Sequence, residues 1–275
     1  MTNARPGSAP FVSGDTFRQV ADHVFEQGAA FDPDTLHAGA VVFVESSQLT
    51  AFVSNCLPGI REPFVLITHN GDLNVDRSFL GLAEDNRIIR WFAQNCILRH
   101  PKVTAIPIGL ENRCHHENGV IRDYQKLQYR SSQKTMRVLY GFTVGTNELE
   151  RIPALKALRS SSIADSIERT NSRDYRMRLE RYGFVASPPG HGIDCHRTWE
   201  ALYLRTIPIV KRSMLYDSFP NLPVVALDDW SDVCGWDASF LQEMYARLSM
   251  VIRTTPFLDF NYWADMIQRS RAEIS

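Results

Sequence analysis

The chain has 275 residues, 44% apolar and 22% charged, with 30 basic and 31 acidic side chains and a formal net charge of −1. This length exceeds the usual single domain of about 100–200 residues, so two domains are expected, each with enough chain to bury a core. A chain without basic excess or a Lys/Arg run is not expected to hold a polynucleotide by its phosphates, which leaves small phosphorylated ligands open.

Residues 1–14 are polar and Pro/Gly-rich and read as a loose leader. Phe17, Val20, Val24 and Phe25 are spaced for one apolar face, which predicts a helix over residues 15–30. Residues 38–44 form a short Val-rich run and read as a buried strand. A helix over 49–56 is expected to end at Pro58-Gly59. Residues 64–68 read as a second strand that stops at His69-Asn70-Gly71-Asp72. Ile88, Trp91 and Phe92 carry helical spacing within 87–96, and 103–106 reads as a third strand closed by Pro107 and Gly109. Strands alternating with helices predict parallel α/β layering.

Residues 113–135 are polar and aperiodic and read as a linker, with a helix at about 123–130. The pattern restarts with a strand at 136–141 and a helix that Thr146 or Asn147 caps and that runs to about Arg159. A polar stretch over 162–181 reads as helical. Then come a strand at 184–186, a Gly/Pro loop, a helix at 194–204, and strands at 207–210 and 224–227. Helices at 238–252 and 260–271 close the chain. The expected organisation is an N-terminal α/β domain over 1–130 and a C-terminal one over 131–275.

Five cysteines, Cys56, Cys96, Cys114, Cys195 and Cys234, make an odd count without a CxxC pair. Neither a disulfide framework nor a structural zinc site is expected, and reduced thiols point to the cytoplasm. The leader lacks the charged-then-apolar order of a secretion signal, and no apolar run reaches the ~20 residues that span a bilayer. Peripheral association with a membrane surface stays open.

The richest stretch is Ser187-Pro188-Pro189-Gly190-His191-Gly192-Ile193-Asp194-Cys195-His196-Arg197-Thr198-Trp199-Glu200-Ala201-Leu202. It follows a predicted strand and opens a predicted helix, at the carboxyl edge where α/β sheets bind ligands. Gly190 and Gly192 let the backbone come close to a ligand. The helix start offers unpaired amides that suit phosphate. His196, Arg197 and Glu200 share one helix face, while Cys195, Trp199 and Leu202 face the core. A cation near the loop can pair with a diphosphate, and a carboxylate one turn on can accept both ribose hydroxyls.

This stretch resembles the exostosin-like glycosyltransferases. Their C-terminal half carries Ser-Pro-x-Gly-x-Gly-x-Asp-x-His-Arg-x-Trp-Glu-Ala-Leu, then Gly-x-Ile-Pro-Ile-Val. The match continues here through Ile207-Pro208-Ile209-Val210, and Arg205 stands where the pattern has glycine. Upstream, Phe64 to Asp72, Trp91 to Asn95, and Pro107 to Asn112 are similar to the family less specifically. The resemblance spans residues from about 64 to 230. It implies the GT-B architecture, two Rossmann-like domains facing a central cleft, and transfer without an essential metal or other cofactor. It also implies that Glu200 binds the donor ribose and that the Gly190–Gly192 loop and Arg197 contact the diphosphate.

The expected activity is transfer of a sugar, with inversion, from a nucleotide-sugar donor to a glycan or lipid-linked acceptor. Ser187, Gly190, His191, Gly192, His196, Arg197, Glu200 and Lys211 form the expected donor site. His69 is the first choice of catalytic base, Asp72 the second and Glu45 the third. Asn70, Asn95 and Asn112 are assigned to the acceptor side. Asp228-Asp229 reads as an acidic helix start rather than a metal pair, and Cys114-His115-His116 lacks the paired spacing of a metal site. The alternative is a non-catalytic nucleotide-sugar-binding subunit that pairs with an active transferase. A dinucleotide oxidoreductase is disfavoured, because the glycine loop lies in the second half and lacks GxGxxG.

Overall fold

The computed structural model describes residues 5–130, 133–168 and 170–273. Residues 1–4 of the leader, residues 131–132 of the linker with the domain boundary placed there, and Arg169 in the polar stretch lie outside them. The chain divides into two compact units, Met1–Cys114 with Asp259–Ser275, and His115–Leu258. Relative to the division expected at residue 130, residues 115–130 belong to the second unit and residues 259–275 return to the first.

The first unit is built from α1 (Gly14–Gln19), β1 (His23–Phe25), β2 (Ala40–Glu45), α2 (Leu49–Asn55), β3 (Phe64–His69), α3 (Leu80–Ala83), β4 (Ile88–Ala93) and β5 (Val103–Ala105), with the C-terminal helix Phe260–Arg271. Its sheet is parallel throughout, in the order β1-β2-β3-β4-β5. β2 and β3 are apolar and buried along nearly their whole length, as strands covered on both faces must be. β4 corrects the helical reading of 87–96. Trp91 and Phe92 are consecutive and both fully buried, which a strand between covered faces requires. The Trp91 indole donates to the Thr68 hydroxyl of β3 at 2.9 Å and locks the pair. The helix expected over 15–30 stops at Gln19, and Val24 and Phe25 instead pair with Phe43 and Val44 in a short strand.

The second unit holds α4 (Ile121–Leu127), β6 (Thr135–Tyr140), α5 (Glu148–Ser160), β7 (Ala164–Ser166), α6 (Ser172–Leu179), β8 (Tyr182–Ala186), α7 (His196–Tyr203), β9 (Ile207–Lys211), α8 (Met214–Asp217), β10 (Val225–Leu227) and α9 (Ala238–Ile252). The C-terminal helix of the first unit is α10. The second sheet is also parallel, in the order β10-β9-β8-β6-β7. The chain winds outward from β6 to β7, then crosses to β8 and continues the other way. Strand order therefore reverses between β6 and β8, and such a switch point opens a crevice at the carboxyl edge. The stretch read as helical over 162–181 divides into β7 and α6. Asn171 caps α6 by accepting from the Asp174 amide at 2.9 Å.

Asn147 caps α5 and Asp237 caps α9, each through its side-chain oxygen. α7 closes with a Schellman pattern, in which the Thr206 amide donates to Ala201 O and the Arg205 amide to Leu202 O. Arg205 sits at φ 56°, the left-handed conformation that glycine favours at this position. The departure from the family glycine thus keeps the glycine's backbone shape. All five cysteines are free thiols. Among the described residues no helix is long and apolar enough to cross a membrane.

Candidate functional site

The glycine loop lies at the switch point of the second unit. β8 ends at Ala186, and the Ser187 amide still bonds Ile209 O of β9 at 2.8 Å. The buried Ser187 hydroxyl meets the Thr198 hydroxyl of α7 at 2.9 Å, so the loop is fastened at both ends. Ser187 thereby holds the loop. Trp199 is wholly buried, and its indole donates to both carboxylate oxygens of Asp194 at 2.9 and 2.8 Å. Asp194 also accepts the Cys195 amide at 2.9 Å, which sets the entry into α7.

The loop's carbonyls are gathered by α5. Asn147 Nδ2 donates to Gly190 O at 2.9 Å, and Arg151 Nε donates to Pro189 O at 2.8 Å. The Gly190 amide donates to Gly192 O at 3.1 Å. A Cβ on Gly190 would stand 3.2 Å from Arg151 Nη2, so a larger residue there needs Arg151 to give by a few tenths of an ångström. His191 is exposed on this loop, and His196 is half-buried in the first turn of α7.

Two guanidinium groups converge here. Arg197 Nη2 donates to Gly141 O at 3.0 Å and its Nε to the Tyr175 hydroxyl at 3.1 Å. Because Gly141 follows β6 and Arg197 follows β8, this side chain bridges the two strand mouths on either side of the switch point. Arg151 is 7% exposed, donates to Thr143 O at 2.7 Å and lies over the Phe142 ring. Burial holds Arg151 below the usual arginine range; Cys195 opposes that shift, and the charge of Arg197 adds to it. Neither guanidinium forms an ion pair with a carboxylate among the described residues; they bond carbonyl and phenol oxygens, Arg151 also meets the Cys195 side chain, and Arg197 feels the charge of Glu200. Two cations held this way keep their charge available to an anion.

Glu200 is half-buried one turn beyond the loop and accepts the Tyr124 hydroxyl on Oε1 at 2.9 Å. Tyr124 is 1% exposed, and Arg176 stacks over its ring. Lys211 stands at the end of β9 and ties to Asp228 O at 2.6 Å. Arg151, Tyr175 and Tyr124 were not singled out from sequence. Arg151 had a signal, since it lies four residues past the cap of the helix following β6, on the same sheet edge as the loop. Tyr124 had none, because its segment read as a polar linker with a short helix and no clear apolar periodicity.

In the first unit the expected acceptor-side residues share one carboxyl edge. Asn70 (φ 60°), Asn95 (φ 51°) and Gly109 (φ 67°) follow β3, β4 and β5, and all three are left-handed. This conformation is uncommon for Asn70 and Asn95, while Gly109 adopts it without steric cost. Asn112 Nδ2 donates to Asn70 Oδ1 at 2.9 Å, and Asn70 Nδ2 donates to Asp15 Oδ1 at 3.3 Å. The Asp15 amide returns to Asn112 Oδ1 at 2.8 Å, closing a ring in which Asp15 and Asn112 are buried and Asn70 is half-buried. Asn95 Nδ2 donates to Gly71 O at 3.3 Å.

His69 closes β3. It is 1% exposed, Nδ1 accepts the Asn70 amide at 2.7 Å, and Nε2 meets Pro107 O at 3.1 Å. Nδ1 also lies 3.2 Å from Asn70 Oδ1. Asp72 is exposed just beyond it. Glu45 is half-buried and bonds the Ser47 hydroxyl at 2.9 Å. Asp15 was not foreseen. Its side chain is wholly buried, Oδ2 has no hydrogen-bond partner, and burial raises its pKa against the pull of Arg5, Asn70 and Arg18.

Asp229 caps the 3-10 helix Trp230–Gly235 by accepting the Ser231 amide at 2.7 Å, and Asp228 accepts Arg212 Nε at 2.7 Å. This agrees with reading the pair as a helix start. Cys114, His115 and His116 are exposed. Among the described residues no group of three His, Cys, Asp or Glu gathers as metal ligands would. The chain matches no protein-family model and no curated protein.

Proposed function

We propose that the chain is a glycosyltransferase of the GT-B type, similar to the exostosin-like family, that binds a nucleotide-activated sugar on its second unit. One observation carries this reading. Arg197 bridges the mouths of β6 and β8 beside the glycine loop, with Arg151 next to it and, among the described residues, no carboxylate ion-paired to either. A diphosphate supplies the missing negative charge.

In this reading the two guanidinium groups stabilise charge on the departing diphosphate as the sugar–oxygen bond breaks. Glu200, oriented by Tyr124, accepts the ribose hydroxyls. The acceptor oxygen forms the new bond to the sugar carbon as the sugar–diphosphate bond breaks, and its proton passes to a general base, for which exposed Asp72 is a candidate. No essential metal enters the reading.

The burial of His69, 1% exposed, favours a second reading, a nucleotide-sugar-binding subunit that pairs with an active transferase. Thermal-shift and calorimetric titration with nucleoside diphosphates and nucleotide sugars test what the two readings share. Binding that Glu200→Ala and Arg197→Ala each weaken strongly supports them, and unchanged affinity in both folded variants removes them. Turnover of a bound donor, by hydrolysis or transfer, then separates enzyme from subunit.

A further inference from the structure

α4 and α6 of the second unit enclose an open hollow of about 530 Å³, away from the glycine loop in sequence and built from other side chains. Its floor is the ion pair of Arg176 and Asp123, at 2.7 Å, in which Arg176 is almost fully buried and also bonds the carbonyls of Glu117 and Asn118. Its walls carry Arg122 and Lys126, four residues apart on one face of α4, and Arg173 at the start of α6. The side chains of these three make no hydrogen bond or ion pair with any described residue. Among the described residues Glu117 is the one lining carboxylate outside the floor pair.

The charges decide what fits. Arg176 and Asp123 neutralise one another. Three cations then face one carboxylate, a surplus of two positive charges in a chain whose overall formal charge is −1. Such a local field concentrates anions against the net charge of the molecule. A phosphate monoester carries roughly −1.5 to −2 near neutral pH and accepts several charge-assisted hydrogen bonds. The volume lies within the roughly 300–1,000 Å³ of ligand pockets, which leaves room for the group that bears the phosphate.

We infer that this hollow is a binding site for a phosphate monoester, held by Arg122, Lys126 and Arg173. The site is distinct from the glycine loop and does not depend on the nucleotide-sugar reading. The phosphate has two sources, a soluble phosphorylated molecule or a lipid headgroup.

The full chain and the triple variant Arg122→Gln/Lys126→Gln/Arg173→Gln test it. All three positions are exposed, and melting curves check that the variant is folded. Calorimetric titration with inorganic phosphate is expected to show binding weakened on the order of tenfold or more in the variant. The glycine loop is common to both proteins, so the difference reads the hollow alone. Co-sedimentation with phosphatidylcholine vesicles containing phosphatidic acid separates the sources. Loss of both phosphate and vesicle binding in the variant supports a headgroup, and loss of phosphate binding alone supports a soluble ligand. Equal phosphate binding by the two folded proteins overturns the assignment.

Discussion

Tyr124 and Glu200 lie 76 residues apart, and the tyrosine hydroxyl donates to Glu200 Oε1 at 2.9 Å. The ring is buried under Arg176, so the carboxylate is aimed by a rigid partner. Tyr124→Phe removes one hydrogen bond of about 0.5–1.5 kcal/mol and keeps the ring. Nucleotide affinity is expected to fall roughly 2–10-fold, measured by calorimetry, with the melting temperature little changed. Equal affinity would separate Glu200 from ligand binding.

Arg197 reaches across the sheet's switch point to Gly141 O. Arg197→Lys keeps a charge but not the planar fork that bonds Gly141 and Tyr175 together. Affinity for a nucleoside diphosphate should drop by an order of magnitude or more, and the salt dependence of binding should persist because the charge persists. An unaltered dissociation constant would contradict the assignment.

Gly190 faces Arg151 so closely that Gly190→Ala places a methyl 3.2 Å from Nη2 and 3.7 Å from the Thr146 methyl. Arg151 must give way by a few tenths of an ångström. The expected result is weakened nucleotide binding with stability changed by no more than about 1 kcal/mol. A large loss of stability with intact binding would instead show that Gly190 serves only the fold.

Asp15 gives a pH dependence. Burial raises its folded pKa above 3.8, so the folded chain holds a proton that the unfolded chain releases first. Stability from this group is therefore fully present below the unfolded pKa and is lost as pH rises through the folded value. Asp15→Asn stays neutral and offers an amide where Oδ2 lacks a partner. The melting temperature of the variant minus that of the parent should grow from pH 4 toward neutrality. A difference independent of pH would mean that Arg5 fully compensates the buried charge.

Arg205 occupies a left-handed backbone position at the close of α7. That conformation costs a non-glycine residue roughly 1–2 kcal/mol, partly offset by the greater unfolded-state entropy of glycine, about 0.5–1 kcal/mol. Arg205→Gly should raise the melting temperature by up to about 3 °C. A lower melting temperature would show that the arginine side chain contributes more than its backbone costs.

Much of the second unit is legible without coordinates. The alternation of apolar runs with capped helices marks β6, α5, β8, α7 and β9 within a residue or two, because caps and turn residues act locally. The glycine loop is legible for the same reason. Helix and strand were confused where an apolar run was short. Ile88, Trp91 and Phe92 fit either period, and only burial on both faces of a central strand decides for β4. Val24 and Phe25 likewise followed a helical period until β2 offered a strand to pair with.

Local chemistry in the amino-acid order determined the α/β class, the strand-to-helix glycine loop and the candidate residues Arg197 and Glu200. Tertiary structure alone decided that α10 joins the first unit, that Arg151 and Tyr124 reach the loop and Glu200, and that His69 is tied at both nitrogens. Caps, glycines and apolar periods act between neighbours and are written in short windows. Contacts such as Tyr124 with Glu200 or Asp15 with Asn112 join residues dozens of positions apart, and only the folded chain brings them together.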